Sequence, residues 1–208
     1  MSTISEKHYV NDVYDSIAED FSRTRTSVWE HVKLFIESIK QDSYCIDIGC
    51  GNGKNIYRTD INMIGVDMCD KFVNMCNDMD KRAYKMDCCE LSFDDNVFDA
   101  AISIAVFHHL TTCERRLNAL SEMIRVLKPQ GLGLISLWSL ENQSKQSFIK
   151  GDNMVSWKHS KNGITFDRYY YIFDEKTLDD YLFNFMNEIR IINKYNDRGN
   201  WYIIFQKQ

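Results

Sequence analysis

Hydrophobic residues recur at helical spacing in two stretches near the N-terminus, residues 8–21 and 27–39. Each stretch places its apolar side chains on one stripe, which predicts two amphipathic helices. Strands that alternate with helices follow, and this pattern predicts a parallel sheet with helices on both faces. Helices are predicted from residue 68 to about 78 and at 113–127, and strands at 44–48, 62–67, 82–87, 98–106 and 132–138.

The last third of the chain carries a different pattern. Residues 188–196 and 200–206 indicate two further strands, which we expect to form a C-terminal antiparallel hairpin at the sheet edge. Residues 141–170 form a largely polar insertion that is long for a plain connection, and long loops tend to be functional. The whole chain, 1–208, is therefore predicted to be a single α/β domain with a mostly parallel sheet.

The stretch "YCIDIGCGNG" places three alternating glycines directly after the first predicted strand. Glycine adds nothing to a core, but it lets the backbone turn tightly and approach a ligand. In an open parallel sheet, ligands bind beyond the carboxyl ends of the strands, where free N–H groups are available. Gly49, Gly51 and Gly53 are therefore predicted to form the floor of a cofactor site. The alternative is a tight strand–helix turn that binds no ligand.

Three aspartates occupy similar places on three neighbouring predicted strands. Asp47 lies in the first strand, Asp67 ends the second and Asp87 ends the third. An acid at the end of the second strand can accept hydrogen bonds from both hydroxyls of a ribose. The spacing G-x-G-x-G differs from the dinucleotide fingerprint G-x-G-x-x-G, and Asp47 would repel a pyrophosphate. These features favour a nucleoside cofactor that carries an ammonium group and a sulfonium charge.

Composition limits the partners and the compartment. The chain is 44% hydrophobic with a formal net charge of −5, so nucleic acid would have to bind a local basic patch or require a partner. The seven cysteines are odd in number and form no C-x-x-C pair, so we expect reduced thiols and no metal site. No apolar run approaches the roughly 20 residues that span a bilayer, and the first ten residues lack a signal-peptide core. We therefore expect a cytoplasmic or nuclear protein without a membrane partner.

The segments "DIGCGNG", "VD" and "MDCCELSFDDNVFDAAIS" resemble class I S-adenosylmethionine-dependent methyltransferases. The resemblance implies a Rossmann-like fold and S-adenosylmethionine as cofactor. It implies that Asp47 and the three glycines hold the methionine part and that Asp67 binds the ribose. It also implies that Asp87 and Cys88 lie beside the adenine, and Ala105 is expected among the cofactor contacts.

A more specific resemblance covers most of the chain in the right order. The segments "VNDVYDSIAEDFSRTR", "ISIAVFHHLTTCERR", "ISLWSLENQ", "RYYYIF" and "GNWYIIF" are similar to eukaryotic tRNA wobble-uridine carboxymethyl methyltransferases. The resemblance implies methyl transfer to the carboxylate of 5-carboxymethyluridine in the tRNA anticodon loop. It also implies a heterodimer with a small zinc-binding activator subunit. One departure is the segment between Trp138 and Tyr169, which is shorter than the corresponding segment in the family.

A carboxylate acceptor is ionised at neutral pH and already nucleophilic, so its methylation needs alignment and loss of water but no general base. Arg25 is predicted to orient this carboxylate, and the alternative is a surface arginine. His108 is predicted to hydrogen-bond the uracil or the carboxylate, unless it caps a helix or packs in the core; His109 is expected to be structural. Trp138 is predicted to stack on the base or to belong to the core. Tyr14 is expected either to cover the cofactor or to pack in the core.

The remaining expectations concern the surface and the rival functions. The third strand is an edge in the usual order of this fold, and we expect the activator to pair there, near Tyr84 and Met86. Residues 1–40 are expected to cover the site and residues 141–170 to face the acceptor. A methyltransferase of a small-molecule or lipid acceptor and a non-catalytic scaffold that binds S-adenosylmethionine are the rival functions. Basic residues near aromatic ones suit single-stranded nucleic acid, or else form a solvated loop and edge: Lys145, Lys150, Lys158, Lys161, Arg168, Arg190, Lys194, Arg198 and Lys207.

Overall fold

The helices follow the predicted pattern, with one extension and one addition. The computed structural model describes residues 2–141 and 148–208, so Lys145 lies outside the described residues. A π-helical turn, Lys7–Asn11, joins the first two α-helices into one helical run that begins earlier than predicted. A 3-10 turn, Phe107–His109, follows the fourth strand. The α-helices are α1 (Ile4–Glu6), α2 (Asp12–Arg23), α3 (Glu30–Ser38), α4 (Asp70–Asn77), α5 (Cys113–Val126) and α6 (Glu175–Phe183).

Seven strands form the main sheet, in the order β3-β2-β1-β4-β5-β9-β8. The first five strands pair in parallel, whereas β9 runs antiparallel to β5 and β8 antiparallel to β9. This topology confirms the predicted α/β fold with its C-terminal hairpin at the edge. The strands are β1 (Tyr44–Ile48), β2 (Asn62–Asp67), β3 (Ala83–Lys85), β4 (Phe98–Ile104), β5 (Leu127–Trp138), β6 (Gly151–Lys158), β7 (Thr165–Ile172), β8 (Ile189–Asp197) and β9 (Asn200–Lys207).

Both faces of the main sheet are buried, as β1 illustrates. Successive side chains of a strand point to opposite faces. Ile46 and Ile48 belong to a core cluster that includes Ile124 of α5. Cys45 belongs to a second cluster, which includes Ile36 of α3. Because helices cover both faces, the carboxyl edge of the parallel strands is left as the place where ligand-binding groups can gather.

The insertion at 141–170 contains more regular structure than its polar sequence predicts. Strands β6 and β7 pair antiparallel as a separate two-stranded sheet, with Trp157 opposite Phe166. Along β6 only Val155 is buried, so the alternation of apolar and polar residues that marks a half-buried strand is weak. Helix α6 was also not predicted. Its start is marked by Asp174, whose side chain accepts the N–H of Thr177.

Strand β3 is the outer strand on one side of the sheet, as predicted, but it is shorter than the predicted 82–87. It pairs only with β2, and Tyr84 on it is 47% exposed. Asp87 therefore lies just beyond the end of the strand. Within the described ranges, no helix combines the length and the apolar character needed to cross a bilayer.

Candidate active site

A cavity of about 190 Å³ lies at the carboxyl ends of β1, β2 and β4. Gly49 and Gly51, in the loop after β1, contribute to its wall, and Glu6 and Tyr14 of the N-terminal helical run contribute on the other side. Arg25, between α2 and α3, also lines it. The cavity lies where a parallel sheet offers unpaired backbone groups to a ligand.

The three glycines of the loop have the same backbone conformation and different surroundings. All have a positive φ: +77° at Gly49, +53° at Gly51 and +70° at Gly53. A Cβ atom on Gly49 would lie 2.2 Å from a methyl group of Val106, and one on Gly53 would lie 2.8 Å from the sulfur of Cys76. No atom of the described residues lies within 4 Å of a Cβ on Gly51, its chain neighbours aside. Gly49 and Gly53 are therefore needed for packing, and only Gly51 opens onto free space that a ligand could fill.

Asp47 is fully buried in β1, just before this loop. Its Oδ2 accepts a hydrogen bond from the side-chain amide of Asn55 at 3.2 Å, whereas its Oδ1 has no partner among the described residues. Burial raises the pKa of Asp47 to about 7. A buried carboxylate oxygen without a donor is costly unless a ligand supplies one. Asp47 does not itself line the cavity, whereas Asn55, which donates to it, does. An ammonium group that reaches Oδ1 would supply the missing donor, and this residue set therefore fits S-adenosylmethionine.

Asp67, at the end of β2, fastens the glycine loop. Its Oδ2 accepts the N–H of Gly51 at 2.8 Å, and its Oδ1 accepts the N–H of Cys69 at 2.9 Å. Burial raises the pKa of Asp67, and these backbone hydrogen bonds oppose the rise. Each carboxylate oxygen can accept a second hydrogen bond. Asp67 can therefore hold the loop and still accept the hydroxyls of a ribose.

Asp87 takes part in a charged network that sequence reasoning missed. One terminal nitrogen of Arg115 donates to both carboxylate oxygens of Asp87 at 2.9 Å, and Arg115 Nε lies 2.6 Å from Glu6 Oε2. Burial alone would raise the pKa of Asp87, but the hydrogen bonds from Arg115 outweigh it and hold the pKa below its usual value. Arg115 therefore joins the cavity wall after β3 to the start of the N-terminal helical run. The only signal for it was the "ERR" at 114–116.

Cys88 also lines the cavity, next to Asp87. Potential ligand atoms of Asp87, Cys88 and Cys89 lie within 4.8 Å of one another, which makes them the one candidate group for a metal ion among the described residues. Arg115 already binds both oxygens of Asp87. A cation would have to displace this guanidinium, so the group suits the edge of a nucleoside better than a metal. The prediction that the protein holds no metal stays a prediction.

Ala105 follows β4 and lines the cavity, as expected. Its φ is +61°, a conformation that residues with a Cβ rarely adopt. The backbone N–H of Ala105 donates to the carbonyl of Ser136 at 2.8 Å, which ties the turn to β5. Strained backbone of this kind persists where the surrounding structure determines it, and it is enriched at functional sites.

Tyr14 and His109 form a linked pair on the cavity wall. The ring Nδ1 of His109 lies 2.9 Å from the carbonyl of Tyr169, which can only accept, so Nδ1 carries the proton. Nε2 then accepts from the hydroxyl of Tyr14, at 3.0 Å. Burial lowers the pKa of His109 to about 3, so the ring is neutral. His109, which was expected to be structural only, thus also borders the cavity.

His108 and Trp138 lie in an aromatic cluster outside the lining of this cavity. His108 is buried, and its Nδ1 accepts the backbone N–H of Trp138 at 3.1 Å. Tyr170 stacks on both rings, with centroids 4.9 Å from His108 and 4.2 Å from Trp138. Burial lowers the pKa of His108 well below its usual value. The structure thus brings the two residues together but not into the cavity with Arg25.

Two cationic side chains line the cavity without a carboxylate partner within ion-pair distance in the described part of the chain. The guanidinium of Arg25 lies over the ring of Phe21 at 4.7 Å and, among the described residues, donates only to Thr24. Lys54, directly after the third glycine, has its Nζ 5.0 Å from the ring centre of Trp29. Burial and the positive charge of Arg25 lower the pKa of Lys54. Sequence reasoning predicted Arg25 and missed Lys54.

The hairpin of β6 and β7 is fastened to α2 beside this site. The buried carboxylate of Asp20 accepts from the indole N–H of Trp157 at 3.1 Å and from the backbone N–H of Ser160 at 3.1 Å. Trp157 also packs against Phe21, with ring centroids 5.5 Å apart. The insertion therefore contacts α2, and its place on the acceptor side stays a prediction.

Comparisons with known proteins agree with this geometry. A family described as a methyltransferase domain matches residues 46–135. The chain is 30% identical over 260 residues to the tRNA (carboxymethyluridine(34)-5-O)-methyltransferase alkbh8 of Xenopus tropicalis, with 97% of this chain and 41% of the relative covered. It is 33% identical over 230 residues to the tRNA (carboxymethyluridine(34)-5-O)-methyltransferase of Schizosaccharomyces pombe, with 97% of each covered.

A solved structure shows the same fold. It is a complex between the Trm112 methyltransferase activator of Haloferax volcanii and a methyltransferase, and the matching chain has a TM-score of 0.68 at 15% identity. The match covers 93% of this chain and 97% of that chain. At this identity the likeness concerns the fold alone.

Several curated relatives are much longer than this chain, which spans between 25% and 41% of their length. The Schizosaccharomyces pombe protein, by contrast, is matched over almost its whole length. The match and the cavity confirm the predicted family, fold and cofactor, S-adenosylmethionine. The chain belongs to the tRNA (carboxymethyluridine(34)-5-O)-methyltransferase family.

Proposed function

We propose that this chain transfers a methyl group from S-adenosylmethionine to the carboxylate of 5-carboxymethyluridine at the wobble position of tRNA, giving the methyl ester. The family supports this proposal, and one observation on the site carries it. The cavity presents Arg25, a cation without a carboxylate partner in the described residues, beside Tyr14 and a neutral His109. Such a wall suits an acceptor that is anionic and already nucleophilic. An amine or hydroxyl acceptor would need a base to remove its proton.

At the cofactor end, each aspartate has a separate proposed role. Asp47 binds the ammonium group, Asp67 the ribose hydroxyls, and Asp87 with Cys88 borders the adenine. When bound, S-adenosylmethionine supplies an electrophilic methyl group, which a carboxylate oxygen can accept without losing a proton. Gly51 leaves the space that the cofactor fills, while Gly49 and Gly53 hold the loop in the shape that makes this space. The proposed contact of Ala105 follows from its place on the cavity wall.

At the acceptor end, Arg25 is proposed to orient the carboxylate, since a guanidinium can bind it in bidentate geometry. Tyr14 covers the cofactor and, with His109, excludes water from the reacting groups. Contacts of His108 and Trp138 with the uracil require the base to reach the cluster around Tyr170. The proposed roles of His108 and Trp138 therefore apply to a bound tRNA whose base reaches this cluster.

The proposed partners are the tRNA anticodon loop and a small zinc-binding activator subunit, which would form a heterodimer with this chain. The solved complex of a similar fold with the Trm112 activator supports an activator of this kind. The outer strand β3, with exposed Tyr84, offers unpaired backbone groups on which such a subunit could add a strand. Seven cysteines without disulfides suit a reducing compartment, and we propose the cytoplasm or the nucleus.

The test is a methyl-transfer assay with labelled S-adenosylmethionine and tRNA that carries 5-carboxymethyluridine, with and without an activator. Matched tRNA that lacks the carboxymethyl group serves as the control. Label should enter only the carboxymethylated tRNA and should leave under mild alkali, because an ester is hydrolysed there. Label that resists alkali would identify another acceptor atom. Cofactor binding without any label in tRNA would favour a small-molecule or lipid acceptor, or a non-catalytic scaffold.

A further inference from the structure

Two carboxylates would meet in this cavity if the proposed function is correct. One belongs to the acceptor, and the other is the α-carboxylate of S-adenosylmethionine itself. In an amino acid the ammonium and carboxylate groups share one carbon atom. A cation that binds the α-carboxylate must therefore lie close to the group that binds the ammonium, which is Asp47 in this chain.

Lys54 meets this requirement. It follows Gly53 in the loop that begins just after Asp47, and its side chain lines the cavity with Gly51 and Asn55. Lys54 and Asp47 are close enough for each charge to affect the pKa of the other, and Asn55 donates to the Asp47 carboxylate. The cation therefore lies near Asp47, at the end of the cavity proposed for the ammonium group.

The surroundings of Lys54 compensate its charge only in part. Its Nζ lies over the ring of Trp29, and no carboxylate within the described residues lies within ion-pair distance of it. Burial and the neighbouring charge of Arg25 both lower its pKa, which means that the protonated form is held at a cost. An anion placed in the cavity would remove this cost.

We propose that Lys54 binds the α-carboxylate of S-adenosylmethionine, which leaves Arg25 for the carboxylate of the acceptor. The cation–π contact with Trp29 holds the side-chain ammonium group of Lys54 in a fixed position at the cavity wall. Asp47 and Lys54 together then recognise the zwitterion of the methionine part. The assignment of Arg25 in this pairing rests on the proposed function, whereas the role of Lys54 can be tested without tRNA.

The test compares two ligands that differ only in this carboxylate. Isothermal titration calorimetry measures Kd for S-adenosylmethionine and for decarboxylated S-adenosylmethionine, which keeps the sulfonium and the amine. Lys54→Met should raise Kd for S-adenosylmethionine by roughly tenfold to a hundredfold, because one charge-assisted hydrogen bond is lost. It should change Kd for the decarboxylated ligand by less than about threefold. Lys54→Arg, which keeps the charge, should restore most of the difference between the ligands.

Arg25→Met is the matched control, since it removes the other unpaired cation of the same cavity. It should leave the ratio of the two dissociation constants close to that of the unmodified chain. Thermal unfolding without ligand identifies a variant that fails to fold, and Lys54→Gln then takes the place of Lys54→Met. The unmodified chain itself should bind S-adenosylmethionine at least tenfold more tightly than the decarboxylated ligand.

Three results would overturn the proposal. The first is equal affinity of the unmodified chain for both ligands. The second is that Lys54→Met weakens the binding of both ligands by the same factor. The third is that Arg25→Met abolishes the difference between the two dissociation constants while Lys54→Met preserves it. The last result would assign Arg25 to the cofactor and remove it from the acceptor. None of these results depends on methyl transfer, so failure here and failure of the proposed function are separate outcomes.

Discussion

The two ends of the cavity are built in different ways. Much of the cofactor end comes from one short stretch of chain, in which Asp47, the glycine loop and Asp67 follow one another through β1 and β2. The acceptor end comes from segments far apart in sequence, with Tyr14 on α2, His109 after β4 and Tyr169 on β7. A local motif can specify the first end, whereas the second exists only when the whole chain has folded.

The ends also differ in charge. The cofactor end holds buried carboxylates, of which Asp47 has its pKa raised to about 7 by burial. The acceptor end holds His109, which burial keeps neutral. An ammonium group and hydroxyls suit the first environment, and a positioned carboxylate suits the second once Arg25 is added. The difference lets each end be tested separately.

The largest effect is expected at Arg115, which joins the cavity wall to the N-terminal helical run. Arg115→Met would leave the buried carboxylate of Glu6 and the partly buried carboxylate of Asp87 without their cation. The free energy of unfolding should fall by about 3–5 kcal/mol, the usual cost of removing one partner of a buried ion pair. Urea denaturation measures this loss, and titration calorimetry should show weaker cofactor binding as well.

Arg115→Lys is the control, because it keeps the charge but cannot bind both partners in the same fork geometry. It should lie between the unmodified chain and Arg115→Met in stability. If Arg115→Met lowers the free energy of unfolding by less than about 1 kcal/mol, the network is solvated and does not connect the N-terminal helical run to the cofactor end.

The next effect separates two glycines of the same loop. Gly49→Ala should cost about 2–4 kcal/mol, because the new Cβ combines a positive φ with a 2.2 Å approach to Val106. Gly51→Ala should cost only about 1 kcal/mol, since its positive φ is the sole penalty. Urea denaturation measures both losses, and titration calorimetry should show that Gly51→Ala weakens cofactor binding more than its stability loss suggests.

The double variant Gly49→Ala/Val106→Ala tests the cause. Its loss of stability should be smaller than the sum of the losses in the two single variants, because the smaller side chain at position 106 makes room for the new Cβ. Equal stability losses at Gly49 and Gly51 would show that the backbone conformation alone decides, and that the packing against Val106 does not matter.

The sequence predicted that the glycine loop and Asp67 meet at one edge of the sheet, because such a loop depends on glycines and acids at fixed places along β1 and β2. The contacts of these residues with the cofactor stay predictions. The sequence did not reveal Lys54 or Arg115, since a lysine after a glycine loop and an arginine in a helix are common on solvated surfaces. It also assigned the site role to His108 and a structural role to His109, whereas His109 is the one that lines the cavity. Whether His108 or His109 faces the cavity depends on the 3-10 turn and on β7, and no spacing rule reports that.

The hairpin of β6 and β7 was missed for a related reason. Its strands pair with each other and expose most of β6, so they carry little of the apolar alternation that marks a strand against a core. Its position is set by Asp20 of α2, which binds Trp157 and Ser160. Sequence patterns predict elements that bury apolar surface, and they predict poorly those that are held by a few polar contacts.

Acid should weaken the acceptor end and not the cofactor end. Burial holds the pKa of His109 at about 3, below its ordinary value of 6.5, so its contribution to stability is full above pH 6.5 and is lost as the pH falls towards 3. Asp47 has its pKa raised from 3.8 to about 7, so its contribution is full below pH 3.8 and is lost as the pH rises towards 7. The two slopes oppose each other between these values.

Substitutions should therefore change the pH profile in opposite directions. At pH 5, His109 should cost about 2 kcal/mol of stability relative to pH above 7, and His109→Asn should remove this loss. Asp47→Asn should make the loss on acidification steeper. Urea midpoints at pH 5, 6 and 7 measure both, and identical profiles for the two variants would contradict the assignment of opposite pKa shifts to His109 and Asp47.

The smallest effect on the fold, and the most specific one, is expected at the tip of the hairpin. Lys158 and Lys161 are exposed, and neither lies within ion-pair distance of a carboxylate in the described part of the chain. Lys158→Glu/Lys161→Glu should weaken tRNA binding by at least about tenfold at low salt and reduce its salt dependence by about two ions, while Kd for the cofactor stays unchanged. Lys33→Glu/Lys40→Glu, which makes the same change of charge on and after α3, should bind tRNA almost normally.

Equal loss of tRNA and cofactor binding would reveal a folding defect. Equal loss of tRNA binding in both double variants would mean that overall charge, and not the hairpin, attracts the tRNA, and the acceptor end would then have no dedicated surface for it.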